Sequence, residues 1–346
     1  MVTLKEIAEI CNVSATTVSN VINGKAKTSE ETKNRIMEVV RKTGYNPNYM
    51  AKGLRVKRTR TIAIIAEDLA QFTSPPIIEN IMAYCESRQY RATVYNLRLY
   101  DRWSDTWYND EEEYKSVFEP VLRDVLSAQV DGIIYLAGHC RVIKSFSDDF
   151  QLPVVMCYAL SDSPGIPSVV IDDEKSSWEM VSHLIKAGHK RIGFVGGRVE
   201  NLHTIERLKG YQRALYENGI LFDPSLVFYG RWDRESGYEG ASKLLTQGVT
   251  AIFAISDRMA GGVYDYLYEA KVAVKDKIAV AGFDNEAISQ YFRPALTTTE
   301  LPLAEIGKKS AELILNRLEK KDGGRSAYSE PYVIKVPCIL KDRNSV

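Results

Sequence analysis

The chain changes character at residue 60, and that change limits what it can fold into. Residues 1–60 carry 12 Lys or Arg against 5 Asp or Glu, whereas the remainder carries 33 against 40. A neutral chain of 346 residues is therefore a basic arm on an acidic body, which points to nucleic acid at one end only. Before the break the apolar residues recur at helical spacing. After it they come in short runs separated by amphipathic stretches. The pattern implies a small all-α module followed by an α/β body long enough for more than one core.

Within the basic arm, Thr3 and Glu6 form a capping-box pair ahead of Leu4, Ile7, Ala8 and Cys11, which share one helical face. Asn12 permits a tight turn. Ser14 suits the N-cap of a second helix through Ile22, with Val18, Val21 and Ile22 inward and Ala15, Thr16, Ser19 and Asn20 outward. Thr28 and Glu31 read as a second capping box, opening a third helix that stops at Gly44. Two helices around a short turn are a helix-turn-helix. Such a module sets the first residues of its second helix against base edges in the major groove. That assigns Ala15, Thr16 and Asn20 to bases, since Asn pairs with adenine, Thr donates, accepts or meets a thymine methyl, and Ala offers a methyl. Thr3, Ser14, Thr17, Ser19, Asn23, Tyr45 and Asn48 fall to the phosphate backbone, which fixes register without reading sequence.

From Thr61 onward, Ile62–Ala66, 92–95, 132–136 and 154–157 read as buried strands, with helices after Pro76, Glu111 and Arg141. Residues 169–171, 192–195, 226–228, 251–254 and 278–281 repeat the scheme. Two groups of about five continuous apolar strands predict two doubly wound subdomains, each sheet buried on both faces. Ligands of such folds bind beyond the carboxyl ends of the strands, so two facing subdomains enclose a small-molecule cleft.

Other classes fit less well. Five widely spaced cysteines, never Cys-x-x-Cys, signal neither a disulfide framework nor a zinc site, and no metal site is expected. Gly193-Phe-Val-Gly-Gly197 is not a dinucleotide fingerprint, and neither a phosphate-binding Gly-Lys-Ser/Thr loop nor His-Glu-x-x-His occurs. Neither an enzyme nor a cofactor is therefore expected. Met1-Val-Thr-Leu-Lys-Glu places charges where a signal peptide needs an apolar run, and no later stretch is long enough to span a bilayer. A cytoplasmic protein without membrane contact is expected, which also sets aside a transported-solute receptor.

Thr3-Leu-Lys-Glu-Ile-Ala, Val13-Ser-x-x-Thr-Val-Ser-x-Val-Ile-Asn-Gly, Gly44-Tyr-x-Pro-Asn48 and Ala51-x-x-Leu54 together resemble the lactose-repressor/galactose-repressor family of bacterial transcriptional regulators. The resemblance implies a helix-turn-helix domain at 1–47, a hinge at 48–60, and a periplasmic-binding-protein-like body whose chain crosses over three times. Residues 61–160 and 293–324 then form the N-terminal effector-binding and dimerisation subdomain, and 161–292 with 325–346 the C-terminal one. It also implies that Leu54 wedges into the minor groove at the centre of a palindromic operator, unstacking a base step. Gly53 departs from the pattern and weakens a hinge helix, costing about 1 kcal/mol relative to alanine.

The resemblance further implies that Arg207 and Asp284 hold the effector. A guanidinium forks onto neighbouring hydroxyls, a carboxylate accepts from them, and Trp232 offers a flat face to a sugar ring. Ser256, Phe72, Asn201 and His203 are further effector-binding candidates. Read structurally instead, Arg207 and Asp284 are an interdomain ion pair, and Trp232 and Phe72 are core aromatics. The expected function is a homodimeric repressor of carbohydrate-utilisation genes, controlled by a small-molecule effector for which a sugar is the best fit. The alternative is a corepressor-dependent regulator of the same fold responding to a nucleobase, a phosphorylated metabolite or a protein partner. Residues 98–113 match no family motif and read as a cleft lid, a partner surface or a solvated connection.

Overall fold

The computed structural model describes residues 2–22, 24–25, 27–45, 59–103, 111–147, 149–319 and 332–346. Leu54, Asn23, Asn48 and most of the hinge lie outside them. The chain divides into two units, residues 1–59 and 60–346. Among the described residues no helix is long and apolar enough to cross a membrane.

The first unit holds α1 (Leu4–Ile10), α2 (Ala15–Ile22) and α3 (Glu30–Thr43). Thr3 and Glu6 form the reciprocal capping box, with the Thr3 N–H donating to Glu6 Oε2 over 2.6 Å. The third helix begins one residue later than the spacing predicts, because Ser29 rather than Thr28 accepts from the Thr32 N–H. Gly44 ends it in the left-handed conformation, φ 60°, which glycine adopts without steric cost. Ile7, Ala8, Cys11, Val18, Val21 and Ile36 form the core.

The second unit is built on two parallel sheets. Six strands pair in the order Val333–Val336 (β13), Ser168–Ile171 (β7), Val154–Cys157 (β5), Gly132–Leu136 (β3), Thr61–Ala66 (β1) and Arg91–Asn96 (β2). Alternate residues of β1 face opposite cores. Ile62 and Ile64 meet the layer of α4 (Ser74–Ser87) and α11 (Leu303–Glu319), while Ala63 and Ile65 meet α6 (Glu111–Ser127) through Tyr114 and Phe118. Four strands form the second sheet in the order Ala279–Ala281 (β11), Ala251–Ala254 (β10), Ile192–Gly196 (β8) and Val227–Tyr229 (β9). Its helices are α7 (Asp173–Lys186), α8 (Leu202–Glu217), α9 (Arg234–Thr246) and α10 (Asp257–Glu269).

The strands divide six and four, not five and five. Ser168–Ile171, expected in the C-terminal subdomain from residue 161, pairs in register with Val154–Cys157. Val333–Val336, expected there from residue 325, adds to the same sheet beside β7. Conversely Thr298–Glu300 (β12), inside the segment expected to return to the first subdomain, pairs antiparallel with Ile339–Lys341 (β14) and bridges Asp284 at the second sheet. Apolar strands buried on both faces look alike in sequence, and only the chain path decides which sheet receives them. Among the described residues the helix expected after Arg141 is absent: Val142–Ile143 (β4) instead pairs with Leu160–Ser161 (β6), and the Ser147 hydroxyl bonds the Asp149 carboxylate.

Candidate functional site

In the first unit, Thr16 and Asn20 stand exposed one helical turn apart on α2, and Ala15 is half-buried against the core. Ser14 Oγ accepts from the Thr17 N–H over 3.1 Å and lies 2.8 Å from the Thr17 hydroxyl, so the two fix the helix start. Thr3 is committed to its capping box, Ser19 is half-buried, and Tyr45 packs on the core. The exposed face of α2 is thus short polar side chains on a rigid frame, the chemistry that base edges require.

In the second unit a cavity of about 550 Å³ lies between the two sheets' carboxyl ends. The first subdomain contributes Gln71 and Phe72 after β1, Tyr100 from α5 (Leu99–Trp103), and His139 to Val142 after β3. From the second come Arg198 and Glu200 to Leu202 after β8, Arg231 to Asp233 after β9, Ser256 and Arg258 after β10, and Asp284 and Glu286 after β11. Parallel strands ending on one side converge on one opening.

Trp232 is held in a left-handed conformation, φ 68°, with its indole against Gly197. A Cβ at Gly197 would lie 2.1 Å from both Cε2 and Nε1 of the ring, so only glycine admits it. Around it stand His139 and His203, with ring centroids 6.3 and 6.4 Å away. Burial, with His203, Arg207 and Arg258 nearby, pushes His139 down to about 3, so its imidazole is neutral.

Arg207 and His203 lie behind the cavity wall, 1% and 3% exposed. Both bind Asp173: Arg207 Nε donates to Oδ1 over 2.7 Å and His203 Nδ1 meets Oδ2 at 2.8 Å. Arg207 Nη1 donates to the Ile255 carbonyl, and the guanidinium stacks 3.6 Å over the Phe283 ring. Burial opposes the charge on Asp173, but His203 and Arg207 outweigh it and hold the carboxyl low. The pair between Arg207 and Asp284 is looser, 3.7 Å, and lies within the second subdomain rather than between the two.

Asp284 sits on a strained turn, with φ 110° and Asn285 at 54°. Such backbone persists only where its surroundings over-determine it. The Asp284 N–H donates to Thr299 O over 2.8 Å, the Glu286 N–H to Asp257 Oδ2 over 2.8 Å, and Arg343 Nη2 to Asn285 Oδ1 over 2.6 Å. Burial, reinforced by Asp257 and Glu286, raises the Asp284 carboxyl well above the usual carboxylate range despite Arg207.

Of the effector-binding residues expected from sequence, Phe72, Asn201, Trp232, Ser256 and Asp284 meet at the cavity wall, and Arg207 and His203 support it from behind. Asn201 and Ser256 also cap α8 and α10. The sequence reading missed His139, Arg141, Arg198 and Arg258. Each follows the end of a strand, so the strand-end rule applied throughout would have found them. Tyr100, four residues past the end of β2, falls under the same rule.

Comparison with known proteins places these features in one family. Residues 3–48 match the family model for bacterial regulatory proteins of the lacI family, and residues 181–346 match that for a periplasmic binding protein-like domain. The chain is 31% identical over 340 residues to catabolite control protein A of Priestia megaterium, covering 96% of this chain and 98% of that protein. Among solved structures, the lac repressor dimer bound to operator and the anti-inducer ONPF superposes with a TM-score of 0.78 at 23% identity, covering 99% and 98%. A cellobiose complex of the regulator CelR gives 0.64 at 24% identity over the full length of both. At these identities the two structures show a shared fold.

Proposed function

Because the chain belongs to the lacI family of bacterial regulatory proteins, we propose that it is a sequence-specific repressor of carbohydrate-utilisation genes whose operator binding is controlled by a sugar in the cavity between its two subdomains. The observation that carries this reading is the joining, in one chain, of an exposed Thr16 and Asn20 face on α2 with a cavity walled by Trp232, Asp284 and Arg258. A flat indole takes the C–H face of a pyranose, and carboxyl and guanidinium groups take its hydroxyls. The support for a sugar is this pairing, together with the cellobiose bound by CelR.

The protein works as a homodimer in the cytoplasm, because one helix-turn-helix reads only a few base pairs and two-fold pairing recognises a palindrome. Ala15, Thr16 and Asn20 meet bases, while Thr3, Ser14, Thr17, Ser19 and Tyr45 bear on the sugar-phosphate backbone. Residues 61–171 with α11 and β13 form the dimerising subdomain. Effector binding biases the relation of the two subdomains and, through the dimer, the pairing of the two DNA-binding units. That coupling is reciprocal, so operator must change effector affinity by the same factor. It acts by binding and carries out no catalysis.

A mobility-shift titration of the full chain on its upstream intergenic DNA, with and without a sugar panel, tests the reading. Loss of the shifted band identifies an inducer and gain a corepressor. Operator binding that no sugar alters, with calorimetry reporting only nucleobase binding, overturns the sugar assignment.

A further inference from the structure

The segment 98–113 has no role in the scheme above, yet its helix Leu99–Trp103 reaches the cavity wall. Leu99 is fully buried and Trp103 packs on the same apolar cluster four residues later, so one face of the short helix is anchored. The Leu99 N–H donates to Glu67 O over 3.0 Å, and Arg102 Nε to Leu97 O over 3.3 Å. Tyr100 lies off that face, 44% exposed, and lines the cavity beside Phe72, 39% exposed.

One buried carboxylate ties both aromatics in place. Asp68, 4% exposed, accepts from the Ala70 N–H through Oδ1 over 2.7 Å and from the Asp101 N–H through Oδ2 over 3.3 Å. The Ser74 hydroxyl donates to its carbonyl over 2.7 Å. The loop bearing Phe72 and the helix bearing Tyr100 are thus fixed to a single residue. The Tyr100 hydroxyl engages no polar group among the described residues, and Trp232 belongs to the opposite subdomain's wall.

We infer that Tyr100 and Phe72 form a second ring-binding subsite, making Tyr100 a specificity-determining residue and the effector a glycoside of two rings rather than a monosaccharide. The inference rests on the sugar assignment of the cavity. A volume of about 550 Å³ lies in the range of roughly 300–1,000 Å³ that encloses ligands of drug size. One ring on Trp232 leaves the Phe72 and Tyr100 side of the cavity unfilled. The second ring is either another sugar or an aromatic aglycone, since both present a face to a phenol.

Calorimetry on the full chain tests this with cellobiose, maltose, lactose and phenyl β-glucoside, each against glucose and galactose. The expected result is that at least one two-ring ligand binds roughly tenfold tighter than its monosaccharide. Tyr100→Ala should lower two-ring affinity about tenfold more than monosaccharide affinity and so abolish that advantage, while Tyr100→Phe keeps it. Disaccharides and the phenyl glycoside together separate the two kinds of second ring. Saccharide binding whose two-ring advantage is absent, or persists in Tyr100→Ala, overturns the inference while sparing the sugar assignment. A chain that binds none of the panel, and whose operator complex no sugar alters, overturns both. An unchanged melting temperature of Tyr100→Ala excludes a folding defect.

Discussion

The backbone N–H of Cys140 donates to Nε2 of His203 over 3.1 Å, joining the loop after β3 of one subdomain to α8 of the other. Because Nδ1 of the same ring meets Asp173, the imidazole bridges a buried carboxylate and the facing wall. His203→Ala removes both bonds and leaves the Cys140 N–H unpaired, at a cost of roughly 1–3 kcal/mol. Every effector should then bind about tenfold or more weakly by calorimetry, in constant proportion. A loss confined to one sugar would make His203 a direct contact instead.

Asp257 gives a pH signature. Burial pushes its carboxyl from 3.8 up to about 7, outweighing the Thr298 hydroxyl and the Glu286 N–H that bind it. Between those values the folded chain holds more protons than the unfolded one, so this group's contribution to stability declines as pH rises from about 4 to about 7. Asp257→Asn keeps the shape and an acceptor while removing the charge. Its melting temperature should fall less than that of the parent between pH 5 and 7.5; parallel profiles would refute the assignment.

Gly197→Ala should weaken effector control without unfolding the chain. The added methyl occupies the place of the Trp232 indole, so the ring must turn away and the aromatic platform is lost. Tryptophan fluorescence should shift, and effector affinity should drop by about tenfold. A native spectrum with native affinity would show that the ring does not rest on Gly197.

On the DNA side, Asn20→Ala should weaken binding to the correct half-site by roughly 1–3 kcal/mol and leave nonspecific binding as it was. Thr3→Ala should lower stability by about 1 kcal/mol, the cost of losing an N-cap, and weaken matched and scrambled DNA alike, as loss of a backbone contact does. Mobility shifts on matched and scrambled operators, with thermal denaturation, separate the two effects.

How far the sequence could be read follows from how local each feature is. The Thr3 and Glu6 box spans four residues and needs only its own helix, so spacing suffices to place it. The role of Arg207 depends on Asp173, which lies 34 residues away, and no local pattern shows that the guanidinium is committed to a buried carboxylate rather than facing the cavity. Ser168–Ile171 was legible as a strand, but its partner is decided by the crossover that follows it. Tyr100 follows the end of β2, but the grip of Asp68 on its helix spans 33 residues, beyond any local pattern.

The placement of Val333–Val336 at the edge of the sheet that begins with Thr61 has a consequence during synthesis. The three helices of residues 4–43 draw on neighbours and can form as soon as they leave the ribosome, whereas the larger sheet lacks its edge until nearly the whole body has been made. Domains fold in order of emergence, and distant pairings are slow. A nascent chain of this design therefore completes its DNA-binding helices before it completes the body that governs them.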